Sequence, residues 1–333
     1  MGPLQPDQIV EERMKVLVTG GAGYIGSHTC KALAGAGHEP VAFDNLSRGH
    51  RWAVKWGPLV HGDVRDTNEV RKAIEAHDID ALIHFAAFAY VGESVEEPNQ
   101  YYQNNVGGLL SILDAMVSCD VRRIVFSSTC AVYGIPESLP IVETTPCSPI
   151  NPYGRSKLMC EHILADHASA YDLGSIALRY FNAAGGDGEG DIGEAHDPET
   201  HLIPLILQAA AGMRDEIRVM GDDYDTPDGT CIRDYIHVTD LADAHVRALL
   251  KCEPGVSDAI NLGTGAGFSV KEIIEAVRSV TQRDFPVVIA PRRPGDPPSL
   301  IANPAKADAK LGWRASHSDL NNIIQTAWTW LEK

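Results

Sequence analysis

The sequence predicts an α/β protein with a doubly wound parallel sheet and a smaller mixed α/β lobe towards the C-terminus. Short apolar, β-branched runs bounded by glycine or charge recur as KVLVTG at 15–20, PVAFD at 40–44, ALIHFA at 81–86, RIVFSS at 123–128 and SIALRYF at 175–181. Helical patterns such as SHTCKALAGAG and TNEVRKAIEAH separate them. A chain of 333 residues at 44% hydrophobic content also exceeds what one core holds, since single cores stop growing at roughly 250–300 residues.

Strands that alternate with helices require right-handed crossovers, and these place helices on both faces of a parallel sheet. The texture changes near residue 185, where GGDGEGDIGEAHDPETH reads as a long surface loop. Beyond it, DYIHVTDLADAHVRALL at 234–250 and AINLG at 259–263 read as strand and helix pieces returning to the sheet. Residues 14–185 plus about 233–263 are therefore expected to form the sheet domain, and 186–232 plus 264–333 the smaller one. Residues 1–13, MGPLQPDQIVEER, are polar and acidic and are expected to be a disordered extension.

A formal charge of -17 argues against nucleic-acid and anionic-membrane surfaces, which recruit stripes of Lys and Arg. Any anionic ligand must then be held by locally placed arginines. No run reaches the roughly 18 apolar residues of a membrane span. Seven cysteines, odd in number and never spaced C-x-x-C, suggest neither a disulfide framework nor a zinc site. The chain is expected to be cytoplasmic and to carry no metal.

VLVTGGAGYIGSH places Gly20, Gly21, Gly23 and Gly26 between the first strand and a helix. Without side chains there, backbone N–H groups and the helix N-terminus can approach a pyrophosphate. Asp44 ends the second strand 18 residues after Gly26. A carboxylate at that place accepts the ribose hydroxyls and repels a 2′-phosphate, so NAD is expected and not NADP, with Arg48 the one nearby cation that complicates the choice. Asp63, after the third strand, reads either as a contact to the adenine edge or as a loop-capping aspartate.

The stretch SPINPYGRSKLMCEH opens with prolines and passes into good helix formers, with Tyr153 and Lys157 four apart at the helix start. Positions i and i+4 share a helix face, which sets the ammonium beside the phenol. Lowering a phenol of pKa about 10 by roughly three units requires about 4 kcal/mol, which a nearby ammonium and a cationic nicotinamide can supply. Tyr153 thus reads as a general base. In FSSTCAVYG, Thr129 lies at the C-terminal end of a strand, where its hydroxyl can reach the same substrate oxygen. His84 and His237 read as satisfied core histidines.

Glycine loop, hydroxyl-bearing strand end and Tyr-x-x-x-Lys together resemble the extended short-chain dehydrogenase/reductase family. The motifs VTGGAGYIGSH, VGESVEEP, NPYGRSKLMCE, ALRYFNAAG, GTCIRDYIHVTDLADAH and APRRPGDPP, in this order from Met14 to about Leu331, narrow the resemblance to its UDP-sugar 4-epimerase branch. It implies a Rossmann-type domain and interconversion of UDP-glucose and UDP-galactose, with a proton taken by Tyr153 and a hydride exchanged at C4. The cofactor set it implies adds Tyr24, Ile25, Asn45, Val64, Phe85, Ala86, Ala87 and Asn104 to Gly20, Gly23, Gly26, Asp44, Asp63, Tyr153 and Lys157. Its substrate set comprises Thr129, Tyr153, Asn182, His201, Leu202, Arg218 and Met220. Arg233 and Arg293 would hold the UDP pyrophosphate, Asp296 the ribose hydroxyls, and Leu300 would lie beside the hexose. The resemblance also implies a homodimer.

Departures bear on substrate range: Thr129 replaces a serine, Ala89 a lysine, His201 and Met220 an asparagine and a phenylalanine, and Leu300 a bulky aromatic. Epimerases of UDP-GlcNAc/GalNAc or UDP-xylose/arabinose therefore remain alternatives. A 4,6-dehydratase carries an acid and base pair immediately after the threonine, where this chain has Cys130 and Ala131. A decarboxylating relative would need a carboxylate-containing motif that is absent. A catalytically dead NAD-sensing protein is a rival of another class, opposed by the intact Thr129, Tyr153 and Lys157.

Overall fold

The apolar runs pair into one large sheet. The computed structural model describes residues 13–293 and 296–333. Its first half contains β1 (Lys15–Thr19), α1 (Tyr24–Gly35), β2 (Glu39–Asp44), β3 (Leu59–His61), α2 (Thr67–His77) and β4 (Ala81–His84). There follow α3 (Val91–Glu96), α4 (Pro98–Tyr101), α5 (Gly108–Ser118), β5 (Arg123–Ser127), α6 (Pro152–Tyr171) and β6 (Gly174–Tyr180). Beyond them come β7 (Asn182–Ala184), α7 (Leu202–Ala210), β8 (Ile217–Met220), β9 (Ile232–Arg233), β10 (Tyr235–His237), α8 (Val238–Leu250) and β11 (Ser257–Leu262). The chain ends with β12 (Phe268–Ser269), α9 (Val270–Thr281), β13 (Val287–Ala290), β14 (Ser299–Leu300), α10 (Ala305–Leu311) and α11 (Leu320–Leu331).

Seven strands lie in the order β11-β6-β5-β4-β1-β2-β3, all parallel. The order reverses between β1 and β4, and open α/β sheets bind ligands in the crevice that such a reversal leaves at their carboxyl ends. One face is covered by α1 and α8, which bury Leu33, Leu241, Ala244 and Leu249 against Val16, Val18 and Ile83. The other is covered by α2, α5 and α6 through Ile74, Ile112, Leu113 and Leu164. A separate core joins α7, α9 and α11 to β8 through Ile203, Ile206, Val219, Ile273, Val277 and Ile324. The expected doubly wound fold with a smaller lobe is the one observed.

Two details differ from the sequence reading. Residues 235–237 do not enter the large sheet: β10 pairs with β7, Tyr235 opposite Asn182, in a two-stranded parallel ribbon, and only β11 returns to β6. Residues 305–313 lie past the expected boundary at 264, yet Ala307, Leu311 and Trp313 pack into the sheet core, where the Trp313 indole N–H donates to Asp240 O at 2.9 Å. An indole has one donor and a large apolar body, so a buried carbonyl beside that core suits it. The extension expected at residues 1–13 lies outside the described residues except for Arg13, whose guanidinium pairs with Glu39 at 3.0 Å.

Candidate active site

The glycine loop follows β1 directly. Gly20 has φ +73° and leads to Gly23, the N-cap of α1, which makes no side-chain capping bond. A Cβ on Gly26 would stand 2.1 Å from Gly20 O, so the helix start can lie against the loop only as glycine. Uncapped N–H groups at a helix start suit an anionic diphosphate. Tyr24 and Ile25 open α1, and the Tyr24 hydroxyl donates to Gly185 O at 2.5 Å.

Asp44 ends β2 and accepts from Ala22 N at 3.0 Å and Leu46 N at 2.8 Å. Burial raises its pKa, against which these N–H donors work. Arg48 points elsewhere: it forks onto Glu93 at 2.7 and 2.9 Å and lies over the rings of Phe88 and Tyr90. Arg48 is thus engaged away from the carboxylate at the end of β2, which fits NAD. Asn45 donates to Asp63 at 3.2 Å, and Arg65 holds the Asp63 carboxyl down to about 2. Val64 is buried beside Gly108. Phe85 and Ala86 donate their N–H groups to Thr19 O, which brings 85–87 to the end of β1, and buried Asn104 sits in the π-helical turn 102–107.

α6 starts where the sequence places it, with Pro152 in its first turn and the Asn151 side chain accepting from Gly154 N at 2.8 Å. That cap delivers Tyr153 and Lys157 to the end of β5. The Thr129 hydroxyl, two residues past the end of β5, accepts from Ala131 N at 3.2 Å, and Thr129 acts to lower the pKa of the Tyr153 phenol. Lys157 is 2% exposed, donates to Ser127 O at 2.7 Å and lies 4.8 Å from the Phe126 ring centroid. Burial lowers its pKa to about 8.

The protein's own groups act on the Tyr153 phenol in opposite directions. Burial raises the Tyr153 pKa above the ordinary phenol value, helped by Tyr180, and Thr129 only partly opposes it. The Lys157 ammonium is given to the Ser127 carbonyl.

The residues of the expected substrate set lie on several elements. Asn182, on β7, donates to Asp234 O at 3.1 Å, and Leu202 begins α7. Arg233 and Leu300 are partners in the β9–β14 register, and Arg233 bonds Asp296. Leu300 also packs against the cluster of Val132, Tyr133 and Ile141. Met220 ends β8, Arg293 is exposed, and Arg218 lies on the outer side of β8, paired with Glu216 at 2.7 Å. The structure gives Arg218 no link to the catalytic residues. The His201 ring faces Glu194 and Glu199, each 2.9 Å from its Nδ1.

Sequence reasoning missed a buried network behind this site. Glu161, one turn beyond Lys157, forms an ion pair with Arg179 and accepts from Ser128 at 2.5 Å. Arg179 continues to the Tyr133 hydroxyl at 2.9 Å, which donates to Asn261 at 2.6 Å. Asn105 joins the π-helical turn to α6 through Ser156 at 3.1 Å. His84 and His237 are satisfied by Thr19 at 2.7 Å and by Thr239 N and Thr326 at 3.1 and 2.9 Å, and burial lowers their pKa values to about 3 and about 4.

Comparison with known proteins agrees with this geometry. The model of the NAD dependent epimerase/dehydratase family matches residues 16–263. The UDP-glucose 4-epimerase of Rhizobium leguminosarum bv. trifolii is 54% identical over 321 residues, covering 96% of this chain and 97% of that protein. The UDP-glucose 4-epimerase of Rhizobium meliloti (strain 1021) is 53% identical over 316 residues, 95% and 96% of the two chains. The structure of UDP-glucose 4-epimerase from Brucella ovis in complex with NAD superposes with a TM-score of 0.92 at 55% identity, covering 95% of this chain and 97% of that one. With a family match over residues 16–263 and relatives 53% and 54% identical along nearly the whole chain, beside a glycine loop and a strand-end carboxylate, the chain belongs to the NAD dependent epimerase/dehydratase family.

Proposed function

We propose that the protein interconverts UDP-glucose and UDP-galactose at C4 of the sugar, with Tyr153 moving the 4-hydroxyl proton and Thr129 orienting that hydroxyl. One observation carries the proposal: Tyr153 and Lys157 lie one turn apart at the start of α6, with the Lys157 ammonium fixed on Ser127 O at the end of β5, two residues before Thr129. Bound NAD supplies the acceptor and donor for hydride at C4. The chain's own part is to bind, orient and handle the proton. Gly20, Gly23 and the start of α1 would cradle the cofactor pyrophosphate, and Asp44 its ribose. Arg233, with Arg293, would meet the UDP pyrophosphate by charge-assisted bonds, and Asp296 the uridine ribose. A phenol whose pKa is raised by burial is well suited to returning the proton to the sugar oxygen, and it can accept the 4-hydroxyl proton only as the phenolate, after losing its own proton to solvent, a loss that positive charge gathered nearby favours. Incubating the purified chain with UDP-glucose and resolving UDP-galactose by chromatography tests the reading. No product, even with NAD added, overturns it.

A protein that must give back what its cofactor took is expected to retain that cofactor. Denaturing the purified protein should release close to one NAD per chain. A near-zero yield together with an absolute need for added NADP would contradict the Asp44 assignment.

A smaller lobe of about residues 186–232 and 264–333, without the stretch 305–313 that packs into the sheet core, belongs to the same reading, supported by the separate core of α7, α9 and α11. So does a homodimer, supported by exposed Leu110 and Met159 on the adjoining helices α5 and α6, and sedimentation velocity checks it. No helix among the described residues is long and apolar enough to cross a membrane, and all seven cysteines are unpaired, which supports a cytoplasmic location.

Substrate range follows Leu300. It sits on a two-residue strand beside Arg233, and a leucine there takes less space than a tyrosine would next to a bound hexose. UDP-GlcNAc is therefore expected to be epimerised alongside UDP-glucose, and Leu300→Tyr to suppress the acetylated substrate selectively. Steric rejection of this kind exceeds the roughly 1–3 kcal/mol that one methylene contact provides. Equal slowing of both sugars would move the gate elsewhere.

A further inference from the structure

The segment between β7 and α7 gathers a second set of chemically capable side chains, and of these only His201 belongs to the substrate set. Glu194, His196, Glu199 and His201 have ligand atoms that all lie within 4.8 Å of one another. His201 Nδ1 is 2.9 Å from Glu194 Oε1 and from Glu199 Oε1, and His196 Nδ1 is 3.0 Å from Glu194 Oε1 and 3.8 Å from Glu199 Oε2. Both carboxylate side chains are 7% exposed. Two imidazoles thus present the same ring nitrogen to the same two carboxylates. One Nδ1–H has a single proton and cannot fully satisfy two acceptors, so this convergence is not that of two separate His–Glu pairs.

We propose that these four residues form a site for a divalent transition ion of the zinc class. Two carboxylates with side chains 7% exposed facing one point call for two positive charges, which two protonated imidazoles or a single divalent cation at that point can supply. Two imidazole nitrogens and two carboxylates are a borderline donor set, suited to zinc or cobalt, whereas calcium and magnesium take oxygen. Tetrahedral donors about 2.1 Å from an ion stand about 3.4 Å apart, so the observed cluster closes on an ion with side-chain adjustment alone.

The backbone around the cluster is already held. Trp330 Nε1 donates to Glu194 O at 2.9 Å, His50 Nε2 lies 2.7 Å from Ala195 O, and the Tyr90 hydroxyl donates to Pro198 O at 3.2 Å. His196 also stands edge-on to Tyr24, with centroids 6.2 Å apart. An ion here would fasten the segment to the first residue of α1, and so to the glycine loop. The site is independent of the epimerase reading.

The test uses the untagged full chain as purified, freed of adventitious metal with EDTA and then titrated with Co²⁺. The expected result is one equivalent of Co²⁺ giving the visible absorption of a four-coordinate ion, displaced by Zn²⁺. Glu194→Gln and His196→Gln should each weaken Co²⁺ binding at least tenfold, while Asp187→Asn, in the neighbouring acidic group that lacks imidazoles, should not. No saturable Co²⁺ band in the wild-type protein would show a proton-bridged ionic network only and overturn the proposal, whatever the variants do. Unchanged Co²⁺ affinity in both ligand variants would overturn it as well.

Discussion

Tyr153→Phe is expected to lower turnover by about 10²- to 10⁴-fold, the range lost when a positioned acid–base group is removed. The substitution deletes one oxygen and leaves the ring, which stacks edge-on to Tyr101 at 6.5 Å between centroids. Thr129 keeps its bond from Ala131 N, so no buried group is orphaned. Stability should fall by no more than the roughly 0.5–1.5 kcal/mol of one hydrogen bond, and UDP affinity should hold. A coupled assay of UDP-glucose formation, read beside thermal melts and UDP titration, separates these effects. Turnover close to wild type would remove Tyr153 from the chemistry, and a lost UDP affinity would make its role one of binding.

What the sequence made legible were positions where backbone geometry admits few residues. Gly26 must be glycine against Gly20 O, and Pro152 preceded by Asn151 marks a helix start, so the glycine loop and the Tyr153–Lys157 pair stood out. The charge state of that pair was not legible. It depends on how deeply Tyr153 is buried and on Lys157 turning to Ser127 O, a partner 30 residues away. The Gly/Asp/Glu-rich stretch after residue 185 looked like a solvated loop because its composition is polar. Its fastening runs through backbone carbonyls at Gly185, Glu194 and Ala195, which no side-chain pattern reports, and Ile192 is fully buried. Likewise, no motif or spacing in the sequence singled out Glu161 and Arg179, and only the docking of α6 on β6 buries them.

That buried pair carries the second large expectation. Glu161 and Arg179 have side chains 8% exposed each, and burial alone would lower the arginine pKa, yet Glu161 more than reverses it. Arg179→Met keeps the length and apolar stem but leaves Glu161 with only the Ser128 hydroxyl, and leaves the Tyr133 hydroxyl without its donor. Removing one partner of a buried pair typically costs about 3–5 kcal/mol, because an uncompensated charge remains. Urea unfolding should register a loss of that size. Glu161→Leu added to Arg179→Met should restore much of it, since replacing both charges by apolar groups removes the desolvation penalty along with the attraction. Turnover should fall in both variants, as Ser128 adjoins Thr129 and Glu161 lies one turn from Lys157. A loss under about 1 kcal/mol for Arg179→Met would mean that water reaches the pair, and a double variant less stable than Arg179→Met would mean that the ion pair itself, not the stranded carboxylate, holds α6 to β6.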